Sequence, residues 1–246
     1  TIDSGISGTS SRFLAALCML VPGEFDLICG KRMRERPMAD LLNGLRDLGV
    51  QIKCLEVEDH LPFKYSNSLP ALQGGKIAMS GTTSSQFFSA LLLVAARLRN
   101  GLEIQVLGTQ VSQSYIDMTE RSLSIFGIKM QNEGYKKYYV PNTKIISAAN
   151  YDVECDATAG TYFLSLAAIT GGRIRVHGIS SSSTQGDARF YEILKKMGCK
   201  VSHDPKEKWI EVEGPKFLVA CNVDMADTPD SAQTLAVVAA FAKGRT

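Results

Sequence analysis

Four copies of one short pattern constrain this chain more than any other feature. "SRFLAALCM" from Ser11, "SQFFSALLL" from Ser85, "GTYFLSLAA" from Gly160 and "AQTLAVVAA" from Ala232 each set small or hydroxyl residues ahead of an apolar face of helical period. Such segments predict capped, well-buried helices, because a leading hydroxyl can satisfy an unpaired backbone N–H while the apolar face leaves water. Their second residues, Arg12, Gln86, Thr161 and Gln233, lie 74, 75 and 72 positions apart. Between them run "LLNGLRDLGVQI", "MTERSLSIFGIKM" and "FYEILKKMGCKV", amphipathic helices closed by Gly49, Gly127 and Gly198, each a candidate left-handed C-cap. Short β signals, "KIAMS", "LEIQVLG", "RIRVHG" and "WIEVEG", fill the gaps. A unit of roughly 70 to 80 residues is too large for a solenoid repeat. The expectation is an α/β chain of about three and a half small modules whose apolar helices share a centre. Patterning lapses near "ISAANYDVECDA", around residues 145 to 153, so residues 1–152 and 153–246 are read as parts of two domains.

Composition limits the function. Apolar residues make up 45% and charged residues 21%, as in a folded globular protein rather than a disordered one. The net charge of +2 argues against a general polyanion or nucleic-acid binder, so any anion site must be local. Apolar stretches such as "FFSALLLVAARL" are too short for a membrane span and are interrupted by Ser and Arg. Six cysteines form no CxxC pair and three histidines stand alone, which predicts reduced structural thiols, no metal site and a reducing compartment such as the cytoplasm. Both ends, Thr1 and "FAKGRT", read as cut.

Several segments offer an anion a place to bind. "SGTTSSQFF" puts Ser84, Ser85 and Gln86 at a helix start, where unpaired N–H groups and the helix dipole favour negative charge; simple capping is the alternative. "SGISGTSSRF" makes the same offer with Gly5, Gly8, Thr9, Ser10 and Ser11, and lacks the Gly-Lys-Ser/Thr end of a nucleotide loop. "GKRMRERPMADLL" carries Lys31, Arg32, Arg34 and Arg36. An extended reading would project the three arginines to one side, with Pro37 in the first turn of the next helix; a solvated charge run is the alternative. "NVDMADTPDSAQTL" sets Asp224, Asp227 and Asp230 before the fourth apolar helix. At least one is expected to cap it, and Asp230 is a candidate base.

Taken in order, "GKRMRERPMADLL", "SGTTSSQFFSALLL", "VSQSYIDMT", "VECDATAGTYFLSLAAITGG", "STQGDARFYEILKKMG" and "DMADTPDSAQTLAVVAAFAKGRT" resemble the enolpyruvyl transferases, and among them the 5-enolpyruvylshikimate-3-phosphate synthase family. The resemblance runs from Ser4 to Thr246. It implies βαβαββ-type modules with buried parallel helices, arranged in a two-domain inside-out α/β barrel that is incomplete here. It implies transfer of the enolpyruvyl group of phosphoenolpyruvate to the 5-hydroxyl of shikimate-3-phosphate, without metal or organic cofactor, nucleic acid or membrane. Arg32 and Gly8 would bind phosphoenolpyruvate. Ser84, Ser85 and Gln86 would hold shikimate-3-phosphate, with Gln86 also facing phosphoenolpyruvate. Ser112 would contact the shikimate phosphate, Tyr115 would lie nearby, and Asp230 would be the acid/base residue.

Two departures from the family pattern fall in the first motif, where Ile6 replaces an amide and Phe13 a proline. The family's N-terminal lysine and its C-terminal glutamate, arginines and lysine have no counterpart, so the 246-residue chain alone is expected to be inactive. The sister enzyme acting on UDP-N-acetylglucosamine and a non-catalytic polyanion-binding module are the competing readings. The sister enzyme's Pro-Gly-Gly-Cys loop does not occur here.

Overall fold

The structure is a computed structural model and describes residues 1–67, 73–147 and 150–246. It forms two units, Thr1–Ala148 and Ala149–Thr246.

The first unit contains one pattern twice. Its first module runs β1 (Ile2–Asp3), α1 (Gly8–Cys18), β2 (Gly23–Ile28), a short α2 (Lys31–Arg34), α3 (Ala39–Asp47), β3 (Gln51–Cys54) and β4 (Phe63–Asn67). The second runs β5 (Gly75–Ser80), α4 (Ser85–Ala95), β6 (Leu102–Leu107), α5 (Gln113–Ile125), β7 (Gln131–Asn132) and β8 (Lys137–Val140). The sheet orders are β1-β2-β4-β3 and β5-β6-β8-β7. In each sheet the first pair is parallel and the remaining pairs are antiparallel. Each first pair is thus a βαβ unit whose crossover is one of the repeated apolar helices.

Burial explains why that helix must be apolar nearly all round. Nine of the eleven residues of α4 are buried, and α1, α3 and α5 pack against it. Phe87, Phe88, Leu91 and Leu92 share one core with Phe63 and Tyr65 of one sheet and Ile104 and Tyr138 of the other. Burying each such side chain contributes about 1.5–3 kcal/mol. The helix-closing glycines take the left-handed geometry their sequence context predicts, with φ of 93° at Gly49, 77° at Gly127 and 100° at Gly198.

The second unit repeats the arrangement in part. It contains α6 (Ala157–Thr170), β9 (Arg173–His177), α7 (Phe190–Lys196), β10 (Lys200–Asp204) and β11 (Trp209–Glu213), with sheet order β10-β11-β9. These strands match β2, β3 and β4 in order and direction. A further parallel pair, β12 (Leu218–Val219) and β13 (Ala242–Lys243), flanks α8 (Ala232–Ala239). The four recurrent segments are therefore α1, α4, α6 and α8. Among the described residues the sheets stay open and no barrel closes.

Two local expectations are corrected. Lys31–Arg34 is a helical turn with Met33 buried, not an extended segment. Period-two alternation fails there because the buried methionine anchors a turn, and the three arginines do not share a side. Pro37 precedes Met38, the N-cap of α3, and so lies outside that helix rather than in its first turn.

Candidate active site

In the first unit the C-terminal ends of the parallel strands lead into helix starts, where N–H groups lack intrahelical partners. Strands β1, β5 and β6 run into α1, α4 and α5, and β2 runs into α2. Backbone bonds tie these loops in pairs. Gly30 N donates to Gly5 O at 2.7 Å, and Val111 N donates to Gly81 O at 2.9 Å. The second contact needs glycine, since a Cβ on Gly81 would come within 3.0 Å of both Gln110 Cα and Thr109 O. That close approach sets the loop bearing Ser84 and Ser85 beside the loop bearing Ser112.

The predicted residues occupy these starts. Ser84 is the N-cap of α4 and accepts from Gln86 N at 3.3 Å, while Ser85 is buried in the first turn. Ser7 caps α1, accepting from Ser10 N at 3.1 Å. Ser112, the N-cap of α5, stands in the left-handed region at φ 54° and makes no side-chain cap hydrogen bond. Tyr115 follows three residues later, its N–H donating to Ser112 O at 3.2 Å.

A β-substituted residue in the left-handed region costs roughly 1–2 kcal/mol, and such strain concentrates at ligand sites. Ser112→Gly is therefore expected to hold or raise thermal stability, by up to about 1 kcal/mol, while removing the hydroxyl. A melting curve showing a loss above about 1 kcal/mol would contradict the strained reading.

The two modules meet through side chains 74 positions apart. Arg12 Nη1 donates to Gln86 Oε1, and Gln86 Nε2 donates to Thr9 Oγ1 at 3.2 Å. Arg12 is 4% exposed, and its guanidinium lies 4.8 Å from the centre of the Phe87 ring. Beside it Arg36 covers Gly8 so closely that a Cβ there would meet Nη1 of the arginine. Burial, and then the charge of Arg36, lower the pKa of Arg12 to about 10. Among the described residues, arginine ion pairs join Arg32 to Glu35, Arg34 to Glu56, Arg46 to Glu58 and Asp59, and Arg173 and Arg175 to Glu211. Neither Arg12 nor Arg36 takes part in one. Arg12 is buried and Arg36 is exposed to solvent beside the start of α1, and two such neighbouring guanidiniums can donate charge-assisted hydrogen bonds to an anion.

Within "RMRERP" the structure separates the arginines. Arg32 has a side-chain exposure of 82% and is held by Glu35, and Arg34 is held by Glu56. Arg36, placed past the end of α2, is the one brought to Gly8. The assignment of the anion grip to Arg32 thus finds less support in the geometry than an assignment to Arg36.

In the second unit Asp230 is exposed on a single 3-10 turn, Pro229–Ser231, at the head of α8. Ser231 is the N-cap of α8 without a side-chain cap bond, and Asp224 closes a turn of its own by accepting from Ala226 N at 2.9 Å. Sequence reasoning missed Asp187. This buried carboxylate accepts from Thr158 Oγ1 at 2.7 Å and from Ser231 Oγ, tying the start of α6 to the turn that bears Asp230. Asp156 caps α6 through Ala159 N at 3.3 Å. All six cysteines are free, with Cys155 exposed, and among the described residues no group of His, Cys, Asp or Glu is placed to hold a metal. No helix there is long and apolar enough to cross a membrane.

Repeated βαβ units bring helix starts together with two arginines, Arg12 and Arg36, that form no ion pair among the described residues, and define an α/β protein. Residues 1–246 match the family described as EPSP synthase (3-phosphoshikimate 1-carboxyvinyltransferase), and the chain belongs to that family. It is 40% identical over 247 residues to the 3-phosphoshikimate 1-carboxyvinyltransferase of Pseudoalteromonas atlantica, covering 100% of this chain and 56% of that protein. The protein of the same name from a Marinomonas species is 39% identical over 243 residues, covering 98% of this chain and 56% of its own length. In fold, the chain resembles the EPSP synthase of Acinetobacter baumannii with a TM-score of 0.75 at 24% identity, covering 99% of this chain and 55% of that one. The chain thus spans little more than half the length of these relatives.

Proposed function

We propose that the whole protein transfers the enolpyruvyl group of phosphoenolpyruvate to the 5-hydroxyl of shikimate-3-phosphate, releasing phosphate. The observation that carries this reading is the junction of Arg12, Gln86 and Thr9 beside Arg36 and Gly8, a cationic site shared by two helix starts. Membership of the family and the names of its relatives support the choice of substrates.

In this reading Arg36 and the N–H groups around Gly8 bind phosphoenolpyruvate. Ser84, Ser85 and Gln86 hold shikimate-3-phosphate, with Ser112 on its phosphate and Tyr115 nearby. Protonation of the phosphoenolpyruvate methylene makes C2 electrophilic. The 5-hydroxyl oxygen attacks C2 as Asp230 accepts its proton. The tetrahedral adduct then breaks its C2–O bond to phosphate and loses a proton from the methyl group, which regenerates the double bond. Fixed cations act most strongly where negative charge concentrates, on the carboxylate and on the departing phosphate. The chain's division into two units, 1–152 and 153–246 by sequence, is read as the larger part of one domain and the opening of another.

Acceptor choice tests the proposal. The whole protein supplied with phosphoenolpyruvate is expected to release phosphate with shikimate-3-phosphate and not with UDP-N-acetylglucosamine. Release with the nucleotide sugar alone would assign the sister activity, and RNA binding without response to either acceptor would assign a polyanion-binding module.

A further inference from the structure

We propose that Arg12 is a positioning residue of this site, holding the side-chain carbonyl of Gln86 so that its amide nitrogen faces the ligand. The inference rests on the proposed function. A glutamine amide can present either oxygen or nitrogen to its surroundings, and the two choices have opposite effects on an anion. Arginine carries donors only, so a buried guanidinium bonded to Gln86 can hold only Oε1. The nitrogen is then turned away from Arg12, with one N–H on Thr9 Oγ1 and the second left for a phosphate or carboxylate oxygen.

The arrangement is costly as mere packing. Arg12 Nε is buried without a partner, and the guanidinium sits beside the charge of Arg36. An apolar side chain of similar length would fill the same space against Phe87 without desolvating a cation. The other modules manage without it, since Gln86, Thr161 and Gln233 stand at the equivalent places.

A double-mutant cycle on the whole protein tests this, using Arg12→Met, Gln86→Ala and their combination, with affinity for shikimate-3-phosphate read by titration calorimetry. Arg12→Met is expected to weaken binding about tenfold in the unsubstituted protein and less than about twofold in the Gln86→Ala background. Arg12→Lys, which keeps one charge and a donor, is expected to restore at least part of the loss, and it serves if Arg12→Met does not fold. Equal losses in both backgrounds, or an Arg12→Lys protein no better than Arg12→Met, would overturn the inference alone. Failure of the unsubstituted protein to bind shikimate-3-phosphate would overturn the functional reading and the inference with it.

Discussion

Arg36→Met is expected to weaken phosphoenolpyruvate binding by about 10- to 100-fold in the whole protein, and Arg32→Met by less than about threefold. Each charge-assisted bond from a guanidinium to phosphate or carboxylate is worth roughly 1.5–3 kcal/mol, which gives the larger figure. Arg36 lies against Gly8 at the start of α1 and, among the described residues, forms no ion pair. Arg32 is 82% exposed and is paired with Glu35, and an ion pair of that kind contributes about 0–1 kcal/mol. Phosphoenolpyruvate titrations at saturating shikimate-3-phosphate check both variants. Equal effects, or a larger effect at Arg32, would return the grip to the first arginine of the motif.

Asp230→Asn should lower kcat by about 10²- to 10⁴-fold while leaving shikimate-3-phosphate affinity within about threefold. Asparagine keeps the shape and an acceptor oxygen but cannot take the hydroxyl proton. The turn that carries Asp230 is pinned from outside by Asp187 through Ser231, so the substitution should not disturb its placement. A variant with normal kcat would remove Asp230 from the proton transfer. A variant with normal kcat but much weaker acceptor binding would make it a contact residue only.

The module repeat was legible because it is written in local pattern. Apolar faces of helical period and the glycines at 49, 127 and 198 report on elements that form within about a dozen residues, and each lies where its pattern places it. What was not legible depends on packing. Four cations in six residues carry no mark of which one meets the site, and a four-residue helix is too short to show a period. Arg12 and Gln86 stood out as equivalent positions, yet their contact arises only when α1 and α4 lie side by side. Asp187 gave no signal, since a single acid after Gly186 in "STQGDARF" looks like any loop carboxylate until two hydroxyls from distant segments converge on it. Ser112 sits in "VSQSYID", where nothing in the residue types demands a left-handed backbone.

The central claim is that the carbon skeleton of phosphoenolpyruvate is transferred and its phosphate leaves. Phosphoenolpyruvate labelled with ¹⁸O in the bridging C–O–P position tests it directly when incubated with shikimate-3-phosphate and the whole protein. The account predicts that the released phosphate carries the label, seen as an isotope shift in its ³¹P resonance, because the C2–O bond of the adduct is the one that breaks. Label retained on the three-carbon product would show cleavage at phosphorus, and would contradict enolpyruvyl transfer.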